Sequence, residues 1–278
     1  MIDCHQHIGH FGRSAEHVIA HLDGIGAAKA WLLPLEDRGG IGGGGTDIFP
    51  TEVALETAAR WPDRIVPFCH VDIRREDALA RITAYAERGC KGYGEQKQSI
   101  PLSDPRIARV LALCNDLGWP VTFHFQEGAR GLNAGIEHLP VLMERFPHVR
   151  FVGHAQSFWA HISAQVPDPR ETLYPKGPVV PGGLVDRWLA DFPNLYADLS
   201  AGSGQNALTR DEEFAAGFVR RHWRKLLFAT DCPCRDGHGE GFPPGCVARE
   251  TLPLLRRLAP GPAELEAILH GNAERLIA

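Results

Sequence analysis

The chain opens on Ile2-Asp3-Cys4-His5-Gln6-His7, and its two histidines are the first residues whose type and spacing could do chemistry. Alternate side chains of a β-strand share a face, so His5 and His7 would project together, about 6–7 Å apart at Cα. Two imidazoles held in that way can grip one metal ion. A metal bound by imidazole and carboxylate, with one coordination position open, polarises oxygen and lowers the pKa of water from about 15.7 towards about 7. Further residues of the same ligand types follow at Glu95, His124, His154 and Asp231.

Short β-rich runs alternate with amphipathic stretches along the whole sequence and supply the elements that would position these groups. Strands are expected over 2–7, 30–35, 65–71, 92–95, 121–125, 150–154, 195–199 and 226–231. The clearest helix starts with Asp104 as cap and Pro105 as first residue, and stops before Gly118. Its apolar positions Ile107, Val110, Leu111 and Cys114 keep the spacing of one buried face. Another helix runs from Pro262 through Leu265, Ile268, Leu269 and Leu276. Eight strand–helix units without a break in composition predict one α/β domain over 1–278, a (β/α)8 TIM barrel with short loop insertions at its mouth. An open doubly wound sheet would want a glycine-rich phosphate turn after the first strand, and none follows His7.

On those strands His5 and His7 end the first, Glu95 the fourth, His154 the sixth and Asp231 the eighth, while His124 sits near the end of the fifth. In such a barrel the carboxyl ends of the strands converge on one mouth, where active sites are built. These six residues are the expected metal ligands. Glu95 has an alternative use as an ion-pair partner of Lys91 or Lys97.

The remaining candidates lie around that mouth. His70, near the end of the third strand, is expected to contact substrate, and Lys97 is a further substrate-binding candidate. The link over 156–193 carries Trp159, His161, Tyr174, Lys176 and Pro178 and is expected to lie over the mouth. Lys176 and Arg130 are candidates to hold an anionic group. The glycine run over 39–45 lacks the lysine and Ser/Thr of a phosphate-binding loop and reads as a flexible connection. Cys232, Cys234, His238 and Cys246 offer soft ligands in a spacing that matches no standard zinc knuckle, so packing or free thiols is the expectation. His10, His17, His21, His138, His148, His222 and His270 read as surface residues.

Composition restricts the partners. The 278 residues are 44% hydrophobic and 23% charged with a formal net charge of −5, enough to bury one sizeable core. The arginines are scattered rather than gathered in a stripe, which argues against nucleic acid. No stretch approaches the ~20 apolar residues of a membrane span, and the first strand begins at Ile2, so a cytoplasmic location is expected. Seven cysteines, an odd number, suit reduced thiols better than a disulfide framework. The expected partner is a small, anionic molecule, and a homo-oligomer is compatible with this composition.

His5-x-His7, His124, His154 and Asp231, with Val152-Gly153-His154-Ala155, Phe228-Ala229-Thr230-Asp231-Cys232-Pro233 and Gly271-Asn272-Ala273-Glu274-Arg275-Leu276, resemble the amidohydrolase superfamily. More narrowly the chain resembles the amidohydrolase-related branch that includes aminocarboxymuconate semialdehyde decarboxylase and several lactone and ester hydrolases. Gly92-Tyr93-Gly94-Glu95-Gln96-Lys97 and Tyr174-Pro175-Lys176-Gly177-Pro178 look like a bacterial subgroup of it. Two-metal members of the superfamily place a carboxylated lysine on the fourth strand. Here that position falls on Glu95, which leaves one or two ions open.

The ligand types suit Zn²⁺ first, with Mn²⁺ or Fe²⁺ as alternatives. Asp231 would bind the ion or carry the proton from water to leaving group, and His154 would complete a second metal site or polarise a substrate oxygen. The expected activity is hydrolysis of a C–O or C–N bond in a lactone, ester or amide. The alternatives are a metal-dependent, non-oxidative decarboxylase and a metal-holding protein without turnover.

Overall fold

The computed structural model describes residues 1–36, 49–128, 131–169, 171–241 and 243–278. The glycine run over 39–45 and Arg130 lie outside the described residues. Strands β1 (Ile2–Gln6), β2 (Lys29–Leu32), β3 (Ile65–Pro67), β4 (Tyr93–Gln96), β5 (Pro120–His124), β6 (Arg150–His154), β7 (Leu195–Asp198) and β8 (Leu226–Leu227) follow one another along the chain. Helices α1 (Ala15–Ile25), α2 (Thr51–Arg60), α3 (Ala78–Glu87), α4 (Pro105–Leu117), α5 (Leu139–Arg145), α6 (Ala155–Ala160) and α7 (Leu184–Asp191) alternate with them. After β7 come α8 (Ala201–Thr209) and α9 (Glu212–His222), and after β8 come α10 (Val247–Leu258), α11 (Pro262–Glu266) and α12 (Asn272–Ile277).

All neighbouring strands pair in parallel, β1 to β3 in one run and β4 to β8 in another. Backbone hydrogen bonds join the two runs at both seams. Cys69 N donates to Gly92 O (3.0 Å) and Gly94 N to Cys69 O (2.9 Å), linking the chain beyond β3 to β4. Cys4 N donates to Phe228 O and Asp231 N to His5 O, both at 3.0 Å, linking the chain beyond β8 to β1. The strands thus form the (β/α)8 barrel that the alternation predicts.

An apolar cluster of Ile2, Cys4, Trp31, Leu33, Phe68, Val152, Leu227 and Ala229 joins the segments of the first, second, third, sixth and eighth strands, with Ala273 and Leu276 of α12 packed on it. Helix α4 forms where expected. Asp104 Oδ1 accepts from Arg106 N at 2.9 Å, Pro105 opens the first turn, and Gly118 closes the last at φ 61°. Its buried residues are Ile107, Val110, Leu111 and Cys114.

Two expectations change in detail. Of the run over 226–231 only Leu226–Leu227 is a regular strand beside β7; the residues beyond it reach β1 through single hydrogen bonds, and Asp231 has a φ of +46°. The closing helix is not continuous: Ala267–Gly271 widens into a π-turn between α11 and α12. That widening leaves Ile268 O free to accept from Phe228 N at 3.0 Å, so the helix is locked to the strand-eight segment. Buried Asn272 adds to the lock, donating through Nδ2 to Trp223 O (2.6 Å) and Leu226 O (2.8 Å). No helix among the described residues is long and apolar enough to cross a membrane.

Asn272→Ala leaves two buried carbonyls without these donors. The expected loss is about 1–3 kcal/mol in urea unfolding, with an unchanged m-value. A loss below about 0.5 kcal/mol would show that the lock carries no stability.

Candidate metal centre

Strand β1 and the residue beyond it present His5 and His7 on one side, with Nε2 to Nε2 at 3.0 Å. The other ring nitrogens fix what those Nε2 atoms are. His7 Nδ1 lies 2.7 Å from Leu33 O, an acceptor only, so Nδ1 carries the proton. His5 Nδ1 lies 2.6 Å from Asp198 Oδ2 and donates likewise. In the neutral rings both Nε2 atoms therefore bear lone pairs, aimed at the same small space.

Glu95 enters that space from β4. Its neighbour Gly94 has φ +143°, and a Cβ there would stand 2.9 Å from Thr122 O, so glycine is what lets β4 approach β5 so closely. The Glu95 carboxylate divides the histidines into two sets. Oε2 lies 3.3 Å from His7 Nε2 and 3.8 Å from His5 Nε2, while Oε1 lies 2.7 Å from His124 Nδ1 and 3.6 Å from His154 Nε2. Asp231 completes the ring, 3.6 Å from His7 Nε2, 3.9 Å from His5 Nε2 and 3.7 Å from His154 Nε2.

These spacings suit a cation. Donors about 2.0–2.1 Å from a tetrahedral ion stand about 3.3 Å from one another, close to the separations just given. Glu95 Oε2 is buried and makes no hydrogen bond, as a ligand oxygen would be in the protein alone. Burial opposes the charge on all three carboxylates, but their neighbours overcome it. Lys97 and His124 hold Glu95 well below its ordinary value, and His154 and His5 do the same to Asp198. His5, His7 and His10 hold Asp231 at about 2. Three carboxylates then face one ammonium, Lys97, an excess of two negative charges that one divalent ion cancels. Against its burial, Asp231 and Asp198 push the His5 imidazole up, as expected where a proton is the only positive charge at hand. Burial lowers His124 to about 4, with Lys97 acting in the same direction.

His5, His7, Glu95, His124, His154 and Asp231, the ligands expected from the sequence, are thus brought together. Lys97 joins them, its Nζ 3.4 Å from Glu95 Oε2, so the ion pair weighed for Glu95 is also present. The other substrate candidates are placed differently. Trp159 is 2% exposed and donates through Nε1 to Asp198 O at 3.0 Å, so it is a prop behind the site rather than a wall of it. His70 is fully buried and accepts from Glu36 N at 3.0 Å, and Lys176 is exposed. His10, read as a surface residue, stands 3.8 Å from Asp231 Oδ1 with its side chain 14% exposed, and burial lowers it to about 4. His222 is also buried, bound to Asp186 at 2.6 Å.

Sequence reasoning missed Asp198 and Ser200. Asp198 ends β7 and orients His5, and Ser200 Oγ lies 2.9 Å from His154 Nδ1. Asp198 carries the same signal as the ligands, a polar residue at the carboxyl end of an apolar strand. Asn133 is a further omission, donating through Nδ2 to Gln96 O (2.6 Å) and His124 O (2.8 Å) and so tying β4 to β5 beside the ligand candidates. A cavity of about 560 Å³ begins beside the centre, at Glu127 beyond β5 and Gln156 beyond β6, and runs along 166–169. None of the six ligand candidates lines it.

The family model described as amidohydrolase matches residues 2–278, and the chain belongs to that family. No curated protein matches the sequence. Among solved structures, an uncharacterised TIM-barrel protein from Bordetella bronchiseptica is similar at TM-score 0.63 and 18% identity, covering 93% of this chain and 80% of that one. A probable 2-pyrone-4,6-dicarboxylic acid hydrolase from Acinetobacter baumannii, with citric acid bound, is similar at TM-score 0.60 and 14% identity, covering 99% and 98%. A 5-carboxyvanillate decarboxylase from Novosphingobium aromaticivorans, complexed with manganese and a nitrobenzoic acid, follows at TM-score 0.56 and 13% identity, covering 94% and 79%.

Crystals soaked in Mn²⁺ are expected to give an anomalous peak within about 2.0–2.3 Å of His5 Nε2 and His7 Nε2. Glu95→Gln should lower its occupancy at a fixed Mn²⁺ concentration. An ion more than about 4 Å from the Glu95 carboxylate would remove that residue from the ligands.

Proposed function

We propose that this member of the amidohydrolase family is a metal-dependent hydrolase acting on a C–O or C–N bond of a small, anionic lactone, ester or amide. Asp231 carries the reading. It is ionised, and its side chain is 13% exposed, so substrate and water can reach it, unlike buried Glu95 and Asp198. His5, His7 and Asp231, with Glu95, His124 and His154, would hold one or two divalent ions, Zn²⁺ in the first place and Mn²⁺ or Fe²⁺ otherwise. Such an ion supplies Lewis acidity: it polarises a substrate oxygen and makes water a stronger acid.

The chain's own residues do the rest. Asp231 takes the proton of the attacking water and returns it to the leaving oxygen or nitrogen. His10 flanks Asp231 and, lowered to about 4, is neutral at pH 7, so it can accept a hydrogen bond there without a competing charge. His154, whose Nδ1 is met by Ser200 Oγ, has Nε2 left either to complete a second metal site or to polarise the substrate oxygen. Lys97 Nζ, its side chain 12% exposed, is placed to hold a carboxylate of the substrate.

Non-oxidative decarboxylation is the second reading, supported by the similarity to a 5-carboxyvanillate decarboxylase. A decarboxylase is expected to anchor the departing carboxylate with arginine beside the ion. Among the described residues the cation beside Glu95 is Lys97, and Arg13 instead donates to Gln6 Oε1 and to Cys232 O.

Metal-loaded protein assayed on lactones, esters, amides and hydroxybenzoic acids separates the two readings, since hydrolysis consumes base without CO₂ and decarboxylation releases CO₂. Turnover confined to the aromatic acids would overturn the hydrolase. On the substrate so found, Asp231→Asn is expected to keep most of the metal and lose about 10²–10⁴-fold in kcat. If more than about a tenth of kcat survives, the proton passes elsewhere and His154 is the next candidate.

A further inference from the structure

His21, Cys232, Cys234 and Cys246 meet between α1 and the segment beyond β8, apart from the six ligand candidates at the mouth. One imidazole nitrogen and three sulfurs all lie within 4.8 Å of one another, and all four residues are buried. The sequence groups the three cysteines with His238, but His238 is exposed against Arg249. His21, expected on the surface, takes that place. Backbone contact brings it there: a Cβ on Gly24 would lie 1.9 Å from Asp236 O, so the cysteine segment rests directly on the helix turn that follows His21.

Three observations point to a ligand rather than to packing. Neither nitrogen of His21 makes a hydrogen bond, although the ring is fully buried. Its Nε2 lies 3.7 Å from Asp3 Oδ2, a carboxylate held by Gln6 and Thr230, and a carboxylate behind an imidazole is the usual support of a metal-bound histidine. Backbone N–H groups are aimed at two of the sulfurs, Val247 N at Cys232 Sγ (3.4 Å) and Gly239 N at Cys234 Sγ (3.2 Å), contacts that favour thiolates. Cys234 Sγ also lies 3.4 Å from Asp236 Oδ1, whose charge is met by N–H groups of His238, Gly239 and Glu240.

The third observation is charge. Arg13 is 2% exposed and donates to Cys232 O at 2.7 Å, while its Nε and Nη2 make no hydrogen bond. A guanidinium stays protonated even when buried, so it requires negative charge nearby. A divalent ion held by three thiolates and a neutral imidazole has one net negative charge, the complement of Arg13.

We propose that His21, Cys232, Cys234 and Cys246 bind a further metal ion away from the mouth, a four-ligand structural site of the Cys3His kind, with Zn²⁺ as its ion. Binding sends the thiol protons to solvent and leaves no open position for substrate. Soft thiolates select zinc here, whereas the nitrogen and oxygen donors at the mouth also suit manganese. Because Cys232 follows Asp231 directly, the ion pins the segment that carries the proposed proton shuttle to α1.

The six ligand candidates at the mouth include no sulfur, so a thiolate-to-Co²⁺ charge-transfer band does not report on the mouth and is independent of the proposed activity; its loss in variants of the cluster assigns it here. Reduced, metal-free wild-type protein titrated with Co²⁺ is expected to develop that band in the near ultraviolet and to lose it when Zn²⁺ is added. Cys234→Ser and His21→Ala should weaken the band, and His7→Ala should keep it. Absence of the band in wild-type protein at saturating Co²⁺ overturns the proposal, whether or not the variants fold. So does a disulfide among the three cysteines in protein purified under reductant, or a full band in both Cys234→Ser and Cys246→Ser.

Discussion

Two imidazole lone pairs cannot face each other at 3.0 Å without a positive charge between or beside them, and the mouth of this barrel is arranged around that constraint. Leu33 O and Asp198 fix the tautomers of His7 and His5 from behind, so the repulsion cannot be relieved by moving a proton within a ring. Glu95 and Asp231 then add negative charge to the same space. Ionised groups removed from water without compensation cost several kcal/mol each. The proposed divalent cation would satisfy every one of these groups together.

The barrel makes this convergence affordable in geometric terms by spreading the ligand candidates over different strands, each delivered at or just beyond a strand's carboxyl end. His124 and His154 are register partners across β5 and β6, which fixes their spacing before any side-chain contact is made. The backbone bends sharply where the strand segments end: Ala155 and Ala201, which open α6 and α8, and Asp231 have φ of 77°, 57° and 46°. Such left-handed positions cost an L-residue roughly 1–2 kcal/mol. They stand at the carboxyl ends of the sixth, seventh and eighth strand segments, two of them beside a metal-facing or orienting residue and the third at the proposed proton shuttle. Strain gathered there fits a site whose demands override local preference.

The strand-end polar residues and the alternation of elements were legible because each is a local signal: His5-x-His7 within one strand, Asp104-Pro105 and Gly118 at the ends of one helix. Asp198 was equally local, and went unread because the expected seventh strand ran one residue past it, to Leu199. Other features had no local signal. Trp159 lies near the mouth in sequence yet turns inward to Asp198, since an indole buried with its N–H on a carbonyl is satisfied there. The π-turn at Ala267–Gly271 depends on Phe228, and the fourth member of the cysteine cluster on His21, both distant in the chain. Spacing along the sequence pointed to His238 because proximity in sequence was the only proximity available.

The segment after β8 connects these two kinds of information. Asp231 N is tied to His5 O, which holds the carboxylate's backbone to the strand that bears the paired histidines. One residue later the chain leaves the barrel, and Arg13 reaches Cys232 O from the loop that follows β1. Gln6, between His5 and His7, joins the same network through Asp3, Thr230 and Arg13. His5 and His7 therefore face the proposed chemistry, while Asp3 and Gln6 of the same strand anchor the segment that completes it. A substitution at Gln6 or Asp3 would touch no substrate and still shift Asp231 relative to His5 and His7, because the same short stretch of backbone carries both sets.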